Sequence, residues 1–142
     1  MSEIAIFADG GTRIGYGHLT RMRTLCARLQ ANIRLFTRTP EAANRIFDDA
    51  KIPVSELGVP LEARFQEIAE AHNLFVLDPP YKEEEPDGRS GPAWRSCIAA
   101  AQASKCPIAF FTDEDFPTAH LCDLLINDHP SASAFAESYR DM

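Results

Sequence analysis

Within the thirteen residues Asp9-Gly10-Gly11-Thr12-Arg13-Ile14-Gly15-Tyr16-Gly17-His18-Leu19-Thr20-Arg21 the chain places an acid, four glycines, two arginines and a histidine. Gly10, Gly11, Gly15 and Gly17 allow positive φ angles and a close backbone approach to a ligand. A helix pattern begins directly after them, so its unbonded N–H groups and positive dipole end would face an anion. His18 falls at about the first helical position. There the dipole disfavours imidazolium, and a neutral ring is the form a general base needs. Arg21, three residues later on the neighbouring turn, is a partner for a phosphate or carboxylate, and Arg13 in the loop is a second. The chemistry suggested is proton abstraction beside a bound anion, with Tyr16 in the same loop. A plainer reading has His18 merely capping the helix or packing against a sheet. Asp9 could orient the histidine, bind a sugar hydroxyl, or cap the turn.

The elements that must carry these residues follow from periodicity. Ile4 to Ala8 is a short apolar run, as a buried parallel strand requires. Leu19, Met22, Leu25, Cys26 and Leu29 recur at helical spacing to about Ala31. Ile33 to Thr37 is a second strand, Pro40 to Phe47 a helix opened by proline with Glu41 in its first turn, and Ile52 to Leu57 a weaker third strand. A helix over Pro60 to His72 leads to a fourth strand, Leu74 to Leu77, ending at Asp78. Residues 79–92 are too rich in proline, glycine and charge for regular structure and are predicted to form a long mobile loop. Ala93 to Ser104 is helical, Pro107 to Thr112 and Asp123 to Asn127 are strands, and a last helix lies around Ser133 to Tyr139.

Six strands alternating with helices predict one α/β domain over 1–142, a Rossmann-like three-layer sandwich with a mainly parallel sheet. Ligands of such sheets bind outside the carboxyl ends of the strands. That rim collects Asp9 to His18, then Asp78 and Tyr81 around the stiff Pro79-Pro80 turn, and Asn127. Asp78 with Tyr81 reads equally as a structural turn. Asn127-Asp128-His129, a polar triplet directly after an apolar strand, is placed for substrate hydroxyls. Asp113, Glu114 and Asp115 read as a solvated loop, because consecutive acids alternate in direction.

Other functions are disfavoured. A net charge of -7 and a pI near 5.0 oppose nucleic acid or an anionic membrane as partner, since counterion release needs clustered Lys and Arg. Cys26, Cys97, Cys106 and Cys122 show no C-x-x-C spacing, which points to buried reduced thiols and not to a metal site. No leader and no membrane-spanning run is visible, so a cytoplasmic location is expected. Gly15-Tyr16-Gly17-His18-Leu19-Thr20 approaches the dinucleotide fingerprint, but six residues separate it from Ala8 and the second strand ends in Thr37-Arg38 without an acid for ribose. A P-loop is excluded by the missing G-K-[ST].

Asp9-Gly-Gly-x-x-x-Gly15-x-Gly17-His18-x-x-Arg21 before a helix, Leu77-Asp78-x-x-Tyr81, a strand ending Thr112-Asp113, and Cys122-Asp123-Leu-Leu-Ile-Asn127 together resemble the N-terminal half of the nucleotide-sugar hydrolases of pseudaminic acid biosynthesis. The resemblance spans essentially the whole chain and implies half of a glycosyltransferase-B fold. It also implies cleavage of UDP from UDP-2,4-diacetamido-2,4,6-trideoxy-β-L-altropyranose without cofactor or metal. His18 would activate water for attack at the anomeric carbon, while Asp9, Gly10, Arg13, Gly15, Tyr16, Gly17, Arg21, Asp78, Tyr81 and Asn127 would contact substrate. In that fold a C-terminal domain largely holds the nucleotide, and 142 residues leave no room for one. Either the chain is a fragment, or a separate polypeptide or a homo-oligomer supplies the other half, or the domain has taken another job, and the chain alone is expected to be weak or inactive. The alternatives are a glycosyltransferase half-domain using His18 on an acceptor hydroxyl, and a non-catalytic binding or assembly module that keeps the fold.

Overall fold

Ile4, Ala5, Ile6, Phe7 and Ala8 are all buried, four of them completely. A strand with no polar face has to be covered on both sides, and the sheet is built around it. The structure, a computed structural model, describes residues 2–12, 14–79, 93–112 and 122–127. In chain order the elements are β1 (Glu3–Ala8), α1 (Gly17–Cys26), β2 (Asn32–Thr37), α2 (Pro40–Phe47), β3 (Val54–Glu56), α3 (Leu61–Ala71), β4 (Leu74–Asp78), α4 (Ala93–Ser104), β5 (Ile108–Thr112) and β6 (Leu124–Asn127). The strands form one six-stranded sheet in the order β3-β2-β1-β4-β5-β6, and every neighbouring pair runs parallel. This is the doubly wound Rossmann-like arrangement expected from the alternation of elements.

Successive residues of β1 point to opposite faces. Ala5 and Phe7 join the core beneath α3 and α4, with Phe65, Phe75 and Phe110. Ile4, Ile6 and Ala8 join the core beneath α1 and α2, with Leu19, Met22, Leu35 and Phe47. The Phe7 and Phe65 rings meet edge to face at 5.2 Å, and removing a ring of this kind costs about 3–5 kcal/mol.

Two element lengths differ from expectation. α1 stops at Cys26, five residues short of Ala31. Arg28 N–H donates to the Leu25 carbonyl and Leu29 N–H to that of Cys26, tighter i to i−3 bonds that turn the chain back toward β2. Asn32 N–H then donates to Ser2 O at 3.0 Å. Leu29 and Ala31 still pack, half-buried, on the same core, so their apolar spacing is satisfied without helix. The third strand is confined to Val54–Glu56 because it is the sheet edge and Pro53 has no N–H to contribute. Apart from Pro79, the predicted loop over 79–92 lies outside the described residues, as do the acids at 113–115 and the predicted C-terminal helix. Among the described residues no helix is long and apolar enough to cross a membrane.

Candidate functional site

The strand order reverses between β1 and β4, which opens a crevice at their carboxyl ends. Ala8 pairs with Asp78 there, so the glycine loop and the last residue of β4 lie side by side. α1 begins after Tyr16, and His18 and Arg21 occupy one face of its first turns, as residues three apart must. Both reach Asp78. His18 Nδ1 lies 2.8 Å from Asp78 Oδ1, and Arg21 Nε donates to Oδ2 at 2.9 Å while Nη2 donates to Oδ1. Asp78 is fully buried, whereas the His18 and Arg21 side chains keep 15% and 19% of their surface exposed. The Arg21 guanidinium also lies over the Phe111 ring, 5.3 Å from its centroid, a cation–π contact that fixes it from the β5 side.

This geometry assigns the tautomer. An ionised carboxylate only accepts, so Nδ1 of a neutral His18 carries the hydrogen and Nε2 carries the lone pair. A buried Asp holding Nδ1–H is the orienting half of the Ser-His-Asp arrangement, where it positions a histidine base and stabilises it when it takes up a proton. The bidentate Arg21 fork keeps that carboxylate in place. Arg21, expected to meet a substrate anion, is therefore engaged with Asp78. Asp78, expected to touch substrate, is engaged with His18.

Asp9 belongs to a different neighbourhood. Extending the β1–β2 register, in which Phe7 faces Phe36, places Asp9 opposite Arg38. Asp9 accepts from Thr37 Oγ1 at 3.1 Å, from the Arg38 amide at 2.7 Å and from Arg38 Nε at 2.8 Å. The Arg38 side chain is only 3% exposed and lies over the Phe7 ring. Thr39 Oγ1 accepts from Gly10 N–H at 3.0 Å. Asp9 thus ties the glycine loop to the end of β2, and the residue that orients the histidine is Asp78. The contribution of Thr37-Arg38-Thr39 was missed in the sequence. Its signal is a polar triplet that follows an apolar strand on the same rim.

The glycine loop closes on itself. Gly11 and Gly15 exchange backbone bonds at 3.0 and 2.7 Å with φ of 138° and 77°, conformations that suit glycine. Gly10 is required by packing, because a Cβ there would sit 2.4 Å from Leu19 Cδ1. The amides of Gly11 and Gly15 thus serve the loop itself, and that of Gly10 is taken by Thr39. Beyond the loop, toward α2, lies a hollow of about 600 Å³ lined by Gly11, Thr12, Tyr16, Thr39, Glu41 and Arg45 among others, and His18 is not one of its lining residues. Arg13 and Tyr81 lie outside the described residues. Asn127 closes β6 opposite Thr112 on the same rim, and its side chain lies outside the description.

No protein-family model and no curated protein matches the chain. Its fold is similar to the solved structure of apo histidine-tagged saccharopine dehydrogenase (L-Glu forming) from Saccharomyces cerevisiae, with a TM-score of 0.56 and 13% identity over 78% of this chain and 21% of that one. The chain spans about a fifth of that protein's length, and the likeness is one of fold: a Rossmann-like α/β sheet.

Proposed function

We propose that this chain is the base-bearing domain of a nucleotide-sugar hydrolase that releases UDP from a UDP-linked diacetamido-trideoxy sugar. The observation that carries the proposal is the buried Asp78 carboxylate holding His18 Nδ1 at 2.8 Å at the switch point of the sheet. The motif resemblance through Gly15, Gly17, His18, Arg21 and Asp78 supplies the substrate class.

In this reading Nε2 of His18 removes a proton from water as the water oxygen attacks the anomeric carbon. The bond from that carbon to the β-phosphate oxygen breaks, UDP departs with the bonding pair, and the proton on His18 returns to solvent. Asp78 keeps the lone pair on Nε2 and stabilises the imidazolium that forms. Arg21 is a positioning residue for Asp78. Tyr81 and Asn127 remain candidates for the sugar hydroxyls and acetamido groups.

Phosphorus NMR of the chain incubated with UDP-linked diamino sugars tests this. UDP release that disappears in His18→Ala is expected. Release indifferent to His18→Ala removes the histidine from the mechanism, and release only after an acceptor alcohol is added would mean transfer and not hydrolysis.

A further inference from the structure

Asp78 and Phe111 stand beside each other at the carboxyl ends of neighbouring strands. β4 and β5 pair Leu77 with Phe110, so the next residues in register are Asp78 and Phe111, and residues paired in this way share one face of the sheet. That face is the one beneath α1, because Phe111 is 7% exposed and joins the core of Leu19 and Met22. Arg21 reaches both residues from α1. Its fork takes the two oxygens of Asp78, while its guanidinium lies over the Phe111 ring, 5.3 Å from the centroid. Oδ1 of Asp78 also holds His18 Nδ1 at 2.8 Å. One oxygen therefore serves the guanidinium and the imidazole together, and a displacement of Arg21 is passed directly to the base. The negative face of an aromatic ring attracts a cation beyond what its burial alone supplies. A leucine at this position would be as apolar and would exert no such pull.

We infer that Phe111 is a positioning residue for the base: its ring face commits the Arg21 guanidinium to Asp78 and withholds it from the anionic part of the substrate. The effect on turnover rests on the hydrolase reading above, whereas the seat for Arg21 does not. The Arg21 side chain keeps 19% of its surface exposed, so a guanidinium released from the ring turns toward solvent and toward any anion bound in the crevice. Release loosens the Asp78–His18 pair, which lowers kcat. It gives the substrate's diphosphate a cation in exchange, so KM does not rise.

Replacing Phe111 in the full chain by mono-, di- and trifluorinated phenylalanine tests this, since fluorine weakens the negative ring face in steps and nearly keeps its shape. The expected result is a stepwise fall in kcat for UDP release, about fivefold to tenfold with the trifluorinated ring, and a KM that is unchanged or lower. The Arg21 Nε–H, slow to exchange with water while it is bonded to Asp78, exchanges faster in the same order by proton NMR. Phe111→Leu gives at least the trifluorinated loss in both measurements. The same fluorination at Phe7, which lies under the structural Arg38, leaves both unchanged. Nε–H exchange indifferent to fluorination of Phe111, or equal losses from fluorinating Phe7, overturns the inference. Losses in Phe111→Leu alone overturn it too, because they make this a packing position only. In a chain that releases UDP through His18, a kcat indifferent to the ring sinks the positioning role and keeps the hydrolase. Graded Nε–H exchange in a chain that releases no UDP keeps the seat and sinks the hydrolase.

Discussion

Asp9 and Asp78 end adjacent parallel strands, are both fully buried, and are both gripped by an arginine, yet they do different work. Asp9 takes its partners from the end of β2: an amide, a threonine hydroxyl and the guanidinium of Arg38. None of these titrates near neutral pH, so the cluster is a fixed tie between two loops. Asp78 takes its partners from α1, and one of them is an imidazole. A buried carboxylate must be paired wherever it stands, so the presence of an arginine beside it says little about function. The teaching difference is the second partner, a group that can gain and lose a proton and that keeps contact with water.

That contrast can be broken or sharpened by substitution. The largest effect is expected at Asp78→Asn, which keeps the shape of the site but offers an amide in place of the carboxylate that fixes the His18 tautomer. UDP release should fall on the order of 10²–10⁴-fold, in kcat more than in KM, with the circular dichroism spectrum unchanged. An unaltered rate would place Asp78 with Asp9 as a purely structural acid.

Asp9→Ala is expected to act on stability instead. Arg38 is almost wholly buried, and removing its counter-charge should cost about 3–5 kcal/mol in urea unfolding. Asp78→Ala should cost less, about 1–3 kcal/mol, because His18 and Arg21 retain access to water. Equal losses at the two positions would erase the distinction drawn from burial.

Gly10→Ala is a smaller probe of the loop that separates the two clusters. Its added methyl must displace the end of the buried Leu19 side chain, at a cost of about 1–3 kcal/mol for overpacking, and should weaken catalysis only as far as it shifts α1. A stability equal to that of the unsubstituted chain would show that Leu19 yields without strain.

The mildest prediction concerns Cys26, at the opposite end of α1 from His18. Burial pushes its thiol up from 9.0 to about 11. The folded state then holds a proton that the unfolded chain releases, so stability falls as pH rises from about 9 to about 11. Cys26→Ser should flatten that alkaline limb in pH-dependent unfolding. An unchanged limb would assign it to another group.

How much was legible in the sequence can be judged residue by residue. Ile4 to Ala8, Leu74 to Asp78 and Pro40 to Phe47 announce their elements because burial and the proline opening are local properties. The length of α1 was not legible. Leu29 and Ala31 carry helical spacing, but the chain must reverse to start β2, and its packing is satisfied in a tight turn. Within the site, His18 and Arg21 were legible as a pair on one helix face, since three residues of helix fix that geometry. Their common dependence on Asp78, about sixty residues away in the chain, was not.

Alone, the order of amino acids determined an alternating α/β chain, a parallel sheet buried on both sides, and a rim where polar residues collect at the strand ends. These follow from periodicity and from the short reach of backbone hydrogen bonds. Which strand-end acid meets the histidine, and on which side of the glycine loop a hollow opens, was decided only by the tertiary structure. The order of strands in the sheet brings β4, and not β2, beneath the face of α1 that carries His18, and no local pattern in the chain encodes that adjacency.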